Sequence, residues 1–382
     1  MLIHYGLFTP EHDELRRSVR SFVDRELRPH ADEWERAAEF PRDVFARAGE
    51  LGLLGMKFPP DVGGSGPDFI ADAVVTEELT RCGSGGVAAA LGAHKDLACL
   101  YLYNFGSPEQ HQRWLVPALA GEKIGALGVT EPDAGSDVAN LRTTARRDGD
   151  GWVINGAKMF ITNGEWADFV VVAAKTDPEG GHEEITLFVV ESGAAGFEAR
   201  RIPTLGWRTS KTGEISLADV RVGDDFKLGD EGTGFHAIMR NFAWERLVMA
   251  LSQVVAAQHS YEVARSYALN RTAFGRPIGK FQAWRHRFAD MATRIEASRS
   301  LTYLALRKFQ SDDNPMREAA MAKLHSSELA FHVADECLQI HGGYGYTTEF
   351  QAERAWRDSR LGPIGGGTSE IMRDLIGKTY GL

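Results

Sequence analysis

Cysteine is scarce in this sequence. The 382 residues include only three, Cys82, Cys99 and Cys337. They form no CxxC pair, and an odd, sparse set is a poor framework for disulfides, so a secreted disulfide scaffold and a zinc-finger protein are both disfavoured. Reduced thiols fit the cytoplasm best, and on that ground we predict a cytoplasmic protein.

Long hydrophobic runs are also missing. No apolar stretch approaches the roughly 18 residues that span a bilayer, and the first residues carry early charges without a signal-peptide core. Acidic residues outnumber basic ones by 53 to 43, which gives a formal net charge of −10. This balance argues against a general binder of nucleic acid or anionic membranes, so we expect neither partner.

Several common catalytic motifs are absent as well. The 12 histidines show no HExxH or other metal-ligand spacing, so we predict no catalytic metal. No GxGxxG follows a strand pattern and no P-loop motif occurs, which leaves a Rossmann or P-loop nucleotide site without support. The serines lack a GxSxG elbow, which disfavours an α/β-hydrolase.

Hydrophobic patterning divides the chain into three stretches. Residues 1–124 are predicted to form an N-terminal helical domain, 125–232 a middle β domain and 233–382 a C-terminal helical domain. Helices, then strands, then helices again favour an α+β fold over an alternating parallel one. The length allows two or three domains with a sizeable core.

Local signals mark individual elements within these stretches. Thr9-Pro10 and the segment from Ser107 to Gln110 are typical of helix N-termini, the second as a capping box. Asn155-Gly156 lies between two β-prone runs and predicts a tight hairpin, whose turn needs positive φ angles. Further strands are predicted at 169–174, 185–190 and 215–222, the last with a break near Asp219.

Glu245 is the most informative single residue. On a helix, positions 238, 242, 245, 249 and 252 form one stripe, whose residues are Ile, Phe, Glu, Met and Ser. A carboxylate is thus set into an apolar face, where desolvation raises its pKa and makes it a useful proton acceptor near neutral pH. The alternative is that Glu245 pairs with an arginine and only helps packing.

Three loops rich in small residues are candidate ligand contacts. They are TEPDAGSDV at 130–138, IHGGYGY at 340–346 and PIGGGTSEI at 363–371. Exposed backbone N–H groups and glycines permit the close approach of a ligand. The same residue types also form ordinary turns and end helices, so composition alone leaves both interpretations open.

Six short motifs occur in a fixed order along the chain. They are TEP-AGSDV, Phe160 to Asn163, Gly206 to Arg208, Arg271 to Ile278 with Gln282, Gln339 to Gly343, and Gly367 to Ile371. Several independent motifs in order are more specific than any one glycine cluster. Together they resemble the acyl-CoA dehydrogenase family of flavoproteins over essentially the whole length of the chain.

The resemblance implies a fold and an assembly. A helical N-terminal domain, a β-barrel-like middle domain and a C-terminal four-helix bundle are expected, with FAD between the last two. A homotetramer of two dimers is expected, and electron-transferring flavoprotein is the implied electron acceptor. Carried over by position, the implied flavin contacts are Leu127, Val129, Thr130, Gly135, Ser136, Phe160, Ile161, Thr162, Arg271, Phe274, Gln282, Gln339, Gly342, Gly343, Thr368, Ser369 and Glu370.

Within that set, the resemblance implies distinct places around FAD. Phe160 is expected to cover a face of the isoalloxazine ring. Arg271, Phe274, Gln282 and the loop from Gln339 to Gly343 are expected to meet the FAD of a neighbouring subunit, and a guanidinium such as Arg271 suits diphosphate oxygens. The implied substrate contacts are Ser136, Trp244, Arg246, Gly366 and Gly367.

The reaction that the resemblance implies is the α,β-dehydrogenation of an acyl-CoA to a trans-2-enoyl-CoA, as in fatty acid metabolism. Many family members carry the catalytic glutamate two residues before the threonine of the last motif, where this chain has Gly366. In the isovaleryl and long-chain branches the base lies instead in a helix-borne Glu-Arg pair, which Glu245-Arg246 matches. Glu245 is therefore the predicted base, and the Gly366 amide the predicted donor to the thioester oxygen.

Other functions remain open at this point. The same chemistry could act on an acyl or aminoacyl group tethered to a carrier protein. An oxidase or hydroxylase that uses O₂, or a non-catalytic flavin-binding scaffold, is disfavoured by the intact Glu245. The acyl chain length is not indicated, because Gly366 favours a branched or bulky group whereas Trp244 favours a shortened pocket.

Overall fold

The computed structural model of the chain describes residues 6–311 and 315–382. The expectation that a signal peptide is absent rests partly on the first five residues, which lie outside the described residues. None of the described helices contains a stretch long and apolar enough to cross a bilayer.

The N-terminal region is built from helices joined by short turns. They are α1 (Pro10–Phe22), α2 (Ala31–Ala37), α3 (Asp43–Glu50), α4 (Phe69–Thr80), α5 (Gly85–Gly92), α6 (Cys99–Phe105), α7 (Pro108–Gln110) and α8 (Val116–Leu119). Thr9 is the N-cap of α1, and Ser107 forms a capping box with Gln110 at the start of α7. Both predicted helix starts are confirmed.

Helix α4 is buried on nearly every face and carries a charge into the core. Lys57 Nζ lies 3.1 Å from Asp72 Oδ1 and 2.7 Å from Asp96 Oδ1. Lys95 Nζ lies 2.6 Å from Asp72 Oδ2 and 3.0 Å from Asp96 Oδ1. We call these four side chains the buried ion quartet. Two cations against two carboxylates leave no net charge, which makes their burial tolerable.

The middle region is a single eight-stranded sheet. Its strands are β1 (Gly125–Gly128), β2 (Thr144–Asp148), β3 (Gly151–Ile161), β4 (Phe169–Lys175), β5 (Ile185–Glu191), β6 (Phe197–Arg201), β7 (Gly213–Gly223) and β8 (Lys227–Leu228). They lie in the order β6-β7-β3-β2-β4-β5-β8, and β1 pairs in parallel with β4. Strand β4 is buried along its whole length, which explains its continuous apolar run.

The hairpin predicted at Asn155-Gly156 is wrong. Strand β3 continues through both residues, and the tight turn lies earlier, where Asp148 pairs with Gly151. The Asn155 side-chain amide instead donates to Asp219 Oδ1 at 3.0 Å and accepts from the Asp219 backbone N–H at 2.9 Å, across an irregularity between β3 and β7. A Cβ at Gly156 would lie 2.4 Å from Thr143 Oγ1, so this glycine permits close packing rather than a turn.

The described residues of the C-terminal region form three long helices and two shorter ones. They are α9 (Gly234–Asn270), α10 (Gln282–Gln310), α11 (Met316–His341), α12 (Gln351–Ser359) and α13 (Ser369–Thr379), and a small strand pair, β9 (Thr272–Ala273) and β10 (Arg276–Pro277), follows α9. Helix α9 packs against α10, α11 and the N-terminal α4. No proline interrupts the sequence between Pro203 and Pro277, so α9 can run for 37 residues.

One hydrophobic core joins the three regions. Tyr101 of the N-terminal helices, Val129 after β1, and Trp244 and Leu247 of α9 belong to the same buried cluster. The end of β1 is thereby brought against the helix that carries Glu245. The predicted α+β fold with helical, β and helical regions is confirmed.

Candidate active site

Glu245 lies on α9 with its carboxylate turned inward. Its Oε2 atom is shielded from solvent and has no hydrogen-bond partner among the described residues. Arg246, its neighbour in sequence, directs Nη1 to Met316 Sδ at 2.9 Å and holds its guanidinium 5.2 Å from the centre of the Phe242 ring. The geometry therefore argues against the alternative in which Glu245 forms an ion pair with an arginine and only helps packing.

Burial sets the acidity of this carboxyl. It raises the pKa of Glu245 to about 7, against the opposing charges of Arg246 and Lys323. The fully buried Tyr101 lies close by, since burial and then the charge of Glu245 raise the pKa of its phenol well above the usual value. The Tyr101 hydroxyl has no hydrogen-bond partner in the described part of the chain. A carboxyl with a pKa near 7 is suited to accept a proton at neutral pH.

The loop over 362–367, which we call the glycine loop, packs on the stripe of α9 that carries Glu245. A Cβ on Gly366 would lie 2.3 Å from Sδ of Met249, one helical turn beyond Glu245. Gly366 also has a φ of +60°, a conformation that side chains disfavour. A glutamate at position 366 would therefore be both strained and crowded. The Gly366 N–H has no acceptor within the described residues and remains available to a ligand.

Lys323 of α11 is a residue that the sequence analysis missed. Its side chain is fully buried, and Nζ donates to the carbonyl oxygen of Gly362 at 2.9 Å and to that of Gly367. Burial and the charge of Arg246 lower the pKa of Lys323 to about 8, while Glu245 raises it. The sequence does contain a signal for this residue. Ala319, Ser327 and Ala330 share its helix face, so Lys323 is a charged residue within a stripe of small residues.

A second group of predicted residues lies where β1 and β3 meet. The Met159 amide donates to the Thr130 carbonyl at 2.9 Å, which joins the loop at 130–138 to β3. Glu131, also missed, fixes this loop by accepting hydrogen bonds from Lys158 Nζ at 2.7 Å and from the amides of Arg142 and Thr143 at 2.6 and 3.0 Å. Leu127 is half-buried and Val129 buried, whereas Gly135 and Ser136 are exposed.

Phe160 is held in an unusual position at the end of β3. Its backbone has a φ of +60°, and its ring is 64% exposed. Such a conformation is costly for an aromatic residue and exposes an apolar face to a ligand. The half-buried Thr162 follows, but the side chain of Ile161 lies in the core of the sheet. The buried Ile161 side chain therefore presents no exposed surface to a cofactor.

A third group surrounds a cleft of about 520 Å³ at the C-terminal end of α11. The cleft is lined by Tyr267, Arg271, Ile278, the residues from Ile340 to Tyr344, and Thr347. Arg271 lies 5.8 Å from the centre of the Tyr344 ring. Gln339 and Gln282 are exposed, and Phe274 is 95% exposed, which leaves a large apolar ring uncovered beside the cleft.

The start of α13 holds the last predicted group. Thr368 is the N-cap of the helix, and its Oγ1 accepts a 3.2 Å hydrogen bond from the Ile371 amide. Ser369 Oγ is buried without a partner among residues that the structure describes, and Glu370 is exposed. A buried hydroxyl without a partner is a position that a bound molecule can satisfy.

Comparisons with known proteins agree across the chain. Family models described as acyl-CoA dehydrogenase N-terminal, middle and C-terminal domains match residues 9–122, 126–220 and 232–381. The chain belongs to the acyl-CoA dehydrogenase family. Membership confirms the predicted enzyme class, an FAD-dependent oxidoreductase that dehydrogenates acyl-CoA thioesters.

Individual relatives of this acyl-CoA dehydrogenase family member match nearly end to end. The mitochondrial long-chain specific acyl-CoA dehydrogenase of Mus musculus is 39% identical over 375 residues, which are 97% of this chain and 87% of the relative. The crystal structure of an acyl-CoA dehydrogenase from Geobacillus kaustophilus is similar with a TM-score of 0.96 at 38% identity, covering 99% of this chain and 100% of that one. The prolyl acyl carrier protein oxidase AnaB is similar with a TM-score of 0.94 at 32% identity, covering 98% and 100%.

The residues of this family member fit FAD in three ways. Phe160 exposes an aromatic face, Ser369 offers a buried hydroxyl without a partner, and Arg271 lines a cleft large enough for part of a dinucleotide. No group of three His, Cys, Asp or Glu side chains that could hold a metal is found within residues 6–311 and 315–382.

Trp244 is placed differently from the other predicted contacts. Its indole is 1% exposed, packs against the rings of Phe69 and Phe309, and donates a 2.9 Å hydrogen bond to Asp96 Oδ1. The predicted contact between Trp244 and substrate therefore needs correction, because an indole that is enclosed by core residues lies beneath the site. Its partner Asp96 belongs to the buried ion quartet, so the quartet anchors α9 immediately before Glu245.

Proposed function

We propose that Glu245 is the base that removes the proton α to the carbonyl of an acyl-CoA thioester. The observation that supports this proposal is the state of the Glu245 carboxyl. Its Oε2 atom is shielded from solvent and has no hydrogen-bond partner in the described residues, and burial raises the pKa of the group to about 7. Such a group accepts a proton at neutral pH without first giving up an ion pair.

FAD, when bound, supplies the two-electron acceptor that takes the β-hydrogen as hydride, so that the product is a trans-2-enoyl-CoA. We propose that the chain holds it with the three groups described above: residues 127–136 and 160–162, residues around the Arg271 cleft, and Thr368, Ser369 and Glu370 at the start of α13. Phe160 and Ser369 support this assignment through an exposed ring and a buried hydroxyl without a partner.

The thioester oxygen needs a donor, because negative charge develops there as the α-proton leaves. We assign this part to the Gly366 N–H, which has no acceptor among the described residues and lies in the glycine loop beside the Glu245 stripe. Gly367 and Arg246 flank the same space and are proposed substrate neighbours, and Ser136 lies on the exposed loop that follows β1.

The base assignment is tested with Glu245→Gln in the FAD-loaded enzyme. The variant keeps the shape of the side chain but cannot take the proton, so flavin reduction by acyl-CoA should slow by about 10²–10⁴-fold while the bound flavin spectrum is retained. Stopped-flow absorbance under anaerobic conditions measures the rate. Reduction at the wild-type rate would remove Glu245 from the mechanism.

Glu262→Gln is the matched control. Glu262 lies on the same helix but at the surface, where it contacts Gln258 and lies 3.6 Å from Arg81. Its loss should leave the reduction rate within a factor of two. A slow rate in both variants would indicate that any change on α9 disturbs the site.

The substrate class is tested by anaerobic titration of the flavin-loaded protein with a panel of acyl-CoAs and acyl carrier proteins. Bleaching by acyl-CoAs of one length or branching names the preferred group, and bleaching by carrier-linked groups alone would favour the alternative. Repeating the titration in air separates a dehydrogenase from an oxidase, because only the oxidase recovers its yellow colour rapidly by passing electrons to O₂.

We further propose that the protein works as a homotetramer of two dimers and passes electrons to electron-transferring flavoprotein. The exposed Phe274 beside the Arg271 cleft supports assembly, because a large uncovered apolar ring is a common mark of a protein interface. Sedimentation of the purified protein checks the assembly, and reduction of purified electron-transferring flavoprotein checks the acceptor.

We also propose the domain boundaries 1–124, 125–232 and 233–382 and a cytoplasmic location. The change from helices to strands after Leu119 and back to helix at Gly234 supports the boundaries. The location is supported by Cys82, Cys99 and Cys337, which are all free and buried.

A further inference from the structure

We propose that Lys323 is a positioning residue that holds the glycine loop over Glu245 and keeps a fixed positive charge beside the reacting thioester. The inference rests on the proposed function, since it assigns a second cation to the same site. It begins from a buried lysine that has no carboxylate within ion-pair distance in the described structure and that donates to two loop carbonyls instead.

The hydrogen bonds of Lys323 act on both ends of the loop. Nζ donates to the carbonyl oxygen of Gly362 at 2.9 Å and to that of Gly367, so one ammonium group bridges the first and last residues of the glycine loop. The loop is also packed tightly at Gly362, where a Cβ would lie 3.1 Å from Gln253 of α9 and 3.2 Å from Ser327 of α11. Lys323 thereby ties both ends of the loop that carries the Gly366 N–H to α11.

The charges that face Lys323 come from three helices. Arg246 and Glu245 lie on α9, Glu328 on α11 and Glu370 on α13. The positive charges of Arg246 and Lys323 both act to lower the pKa of Glu245, against the effect of burial. When Glu245 accepts the α-proton it becomes neutral, and two positive charges remain beside the oxygen on which negative charge develops. Preorganised charge of this kind lowers the barrier.

A purely structural lysine and a positioning lysine predict different pH profiles. Burial and Arg246 lower the pKa of Lys323 to about 8, and burial raises that of Glu245 to about 7. Flavin reduction should therefore rise as Glu245 ionises and fall again as Lys323 loses its proton. The two apparent values belong to the coupled pair rather than to either residue alone.

The decisive variants are Lys323→Arg and Lys323→Met in the FAD-loaded enzyme. Arginine keeps the charge at every pH used, so the alkaline fall should disappear. Methionine removes the charge and both hydrogen bonds, so the rate of flavin reduction should drop by roughly 10–100-fold and its acid limb should move to higher pH. The rates are measured by anaerobic stopped-flow with saturating acyl-CoA from about pH 5.5 to pH 10.

Lys378→Met is the matched control, because Lys378 is an exposed lysine on α13 paired with Asp374 at 2.7 Å. Its profile should match that of the wild type. The inference is overturned if the alkaline fall persists in Lys323→Arg, or if Lys323→Met keeps the wild-type rate and acid limb. Should Lys323→Met fail to fold, the Lys323→Arg profile alone decides. Full flavin reduction by Glu245→Gln would overturn the proposed function instead, whatever the Lys323 variants do.

Discussion

Two groups of buried charges lie next to each other in this molecule and are arranged in opposite ways. In the buried ion quartet each lysine is within hydrogen-bond distance of both aspartates, and Lys95 also donates to the Thr76 hydroxyl. Glu245, by contrast, leaves Oε2 without a partner among the described residues, although Arg246 and Lys323 are close enough to influence its pKa. Paired charges hold a structure in place, whereas an unpaired carboxyl keeps its capacity to react.

The pKa values of the Asp96 and Glu245 carboxyls differ for the same reason. Burial acts to raise the pKa of both. At Asp96 the charges of Lys57 and Lys95 overcome burial and hold the pKa below its usual range. At Glu245 the opposing charges of Arg246 and Lys323 do not overcome burial, and the pKa is about 7. Buried acids therefore differ in role according to how completely cations compensate them.

The largest effect on stability is expected at the quartet. Asp96→Asn leaves two buried lysines against one aspartate, so the free energy of unfolding should fall by about 3–5 kcal/mol. Glu245→Gln removes a carboxyl that has no partner and should cost little stability. Urea denaturation of the two variants, followed by circular dichroism, compares them directly.

Asp374→Asn provides the surface reference for that comparison. Asp374 pairs with Lys378 within one helix at the surface, and its loss should change the free energy of unfolding by less than about 1 kcal/mol. If Asp96→Asn were as mild as Asp374→Asn, the distinction between structural and reactive charges drawn here would not hold.

A smaller effect is expected where the glycine loop meets α9. Gly366→Ala places a Cβ 2.3 Å from Met249 Sδ at a φ of +60°, so the free energy of unfolding should fall by about 1–3 kcal/mol and flavin reduction should slow. Met249→Ala removes the sulfur. The double variant should regain part of the lost stability but not all of it, because the backbone strain remains.

Thermal unfolding and anaerobic stopped-flow measure the two consequences separately. If the double variant Gly366→Ala/Met249→Ala regained no stability, the whole loss in the free energy of unfolding would be due to backbone strain. A double variant as fast as the wild type would show that the glycine loop tolerates a side chain, contrary to the crowding described at Gly366.

The last expected effect is a pH dependence of the free energy of unfolding. Burial raises the pKa of folded Glu245 to about 7, above the roughly 4.3 of an unfolded chain. The folded state therefore binds this proton more tightly, and the stabilisation is full below about pH 4 and is lost as the pH rises through about 7. Relative to Glu245→Gln, the wild type should lose about 3 kcal/mol between pH 4.5 and 7.5.

Urea unfolding of the two proteins at several pH values measures that difference. Glu262→Gln controls for the loss of a carboxylate at the surface and should follow the wild type. A gap between wild type and Glu245→Gln that is independent of pH would mean that the Glu245 carboxyl titrates normally in the folded protein.

The sequence predicted those parts of the fold that depend on hydrophobic period and on caps. The strands at 169–174 and 185–190 lie within β4 and β5, and Ser107 and Gln110 form their capping box. The hairpin at Asn155-Gly156 failed because a turn signal is local, whereas the contact of Gly156 with Thr143 and of Asn155 with Asp219 is set by neighbouring strands.

The candidate site likewise contains residues that one helix pattern predicts and residues that only tertiary packing brings together. Periodicity picked out Glu245, because an acid in an apolar stripe is visible in one helix alone. Lys323 carries the same signal on α11 but has no pattern in sequence that links it to Glu245, since packing between α9 and α11 brings the two together. The positive φ of Phe160 and the enclosure of Trp244 are likewise properties of tertiary packing.

The close approach of Gly366 to Met249 has a consequence for how this enzyme can change. The glycine loop has no room for an acidic side chain, and the proposed proton acceptor, Glu245, is borne by a 37-residue helix rather than by a flexible connection. A helix packed on three others moves little when a loop is lengthened or re-sequenced. Redesign of the loop for other acyl groups can therefore proceed without relocating the group that performs the acid–base step.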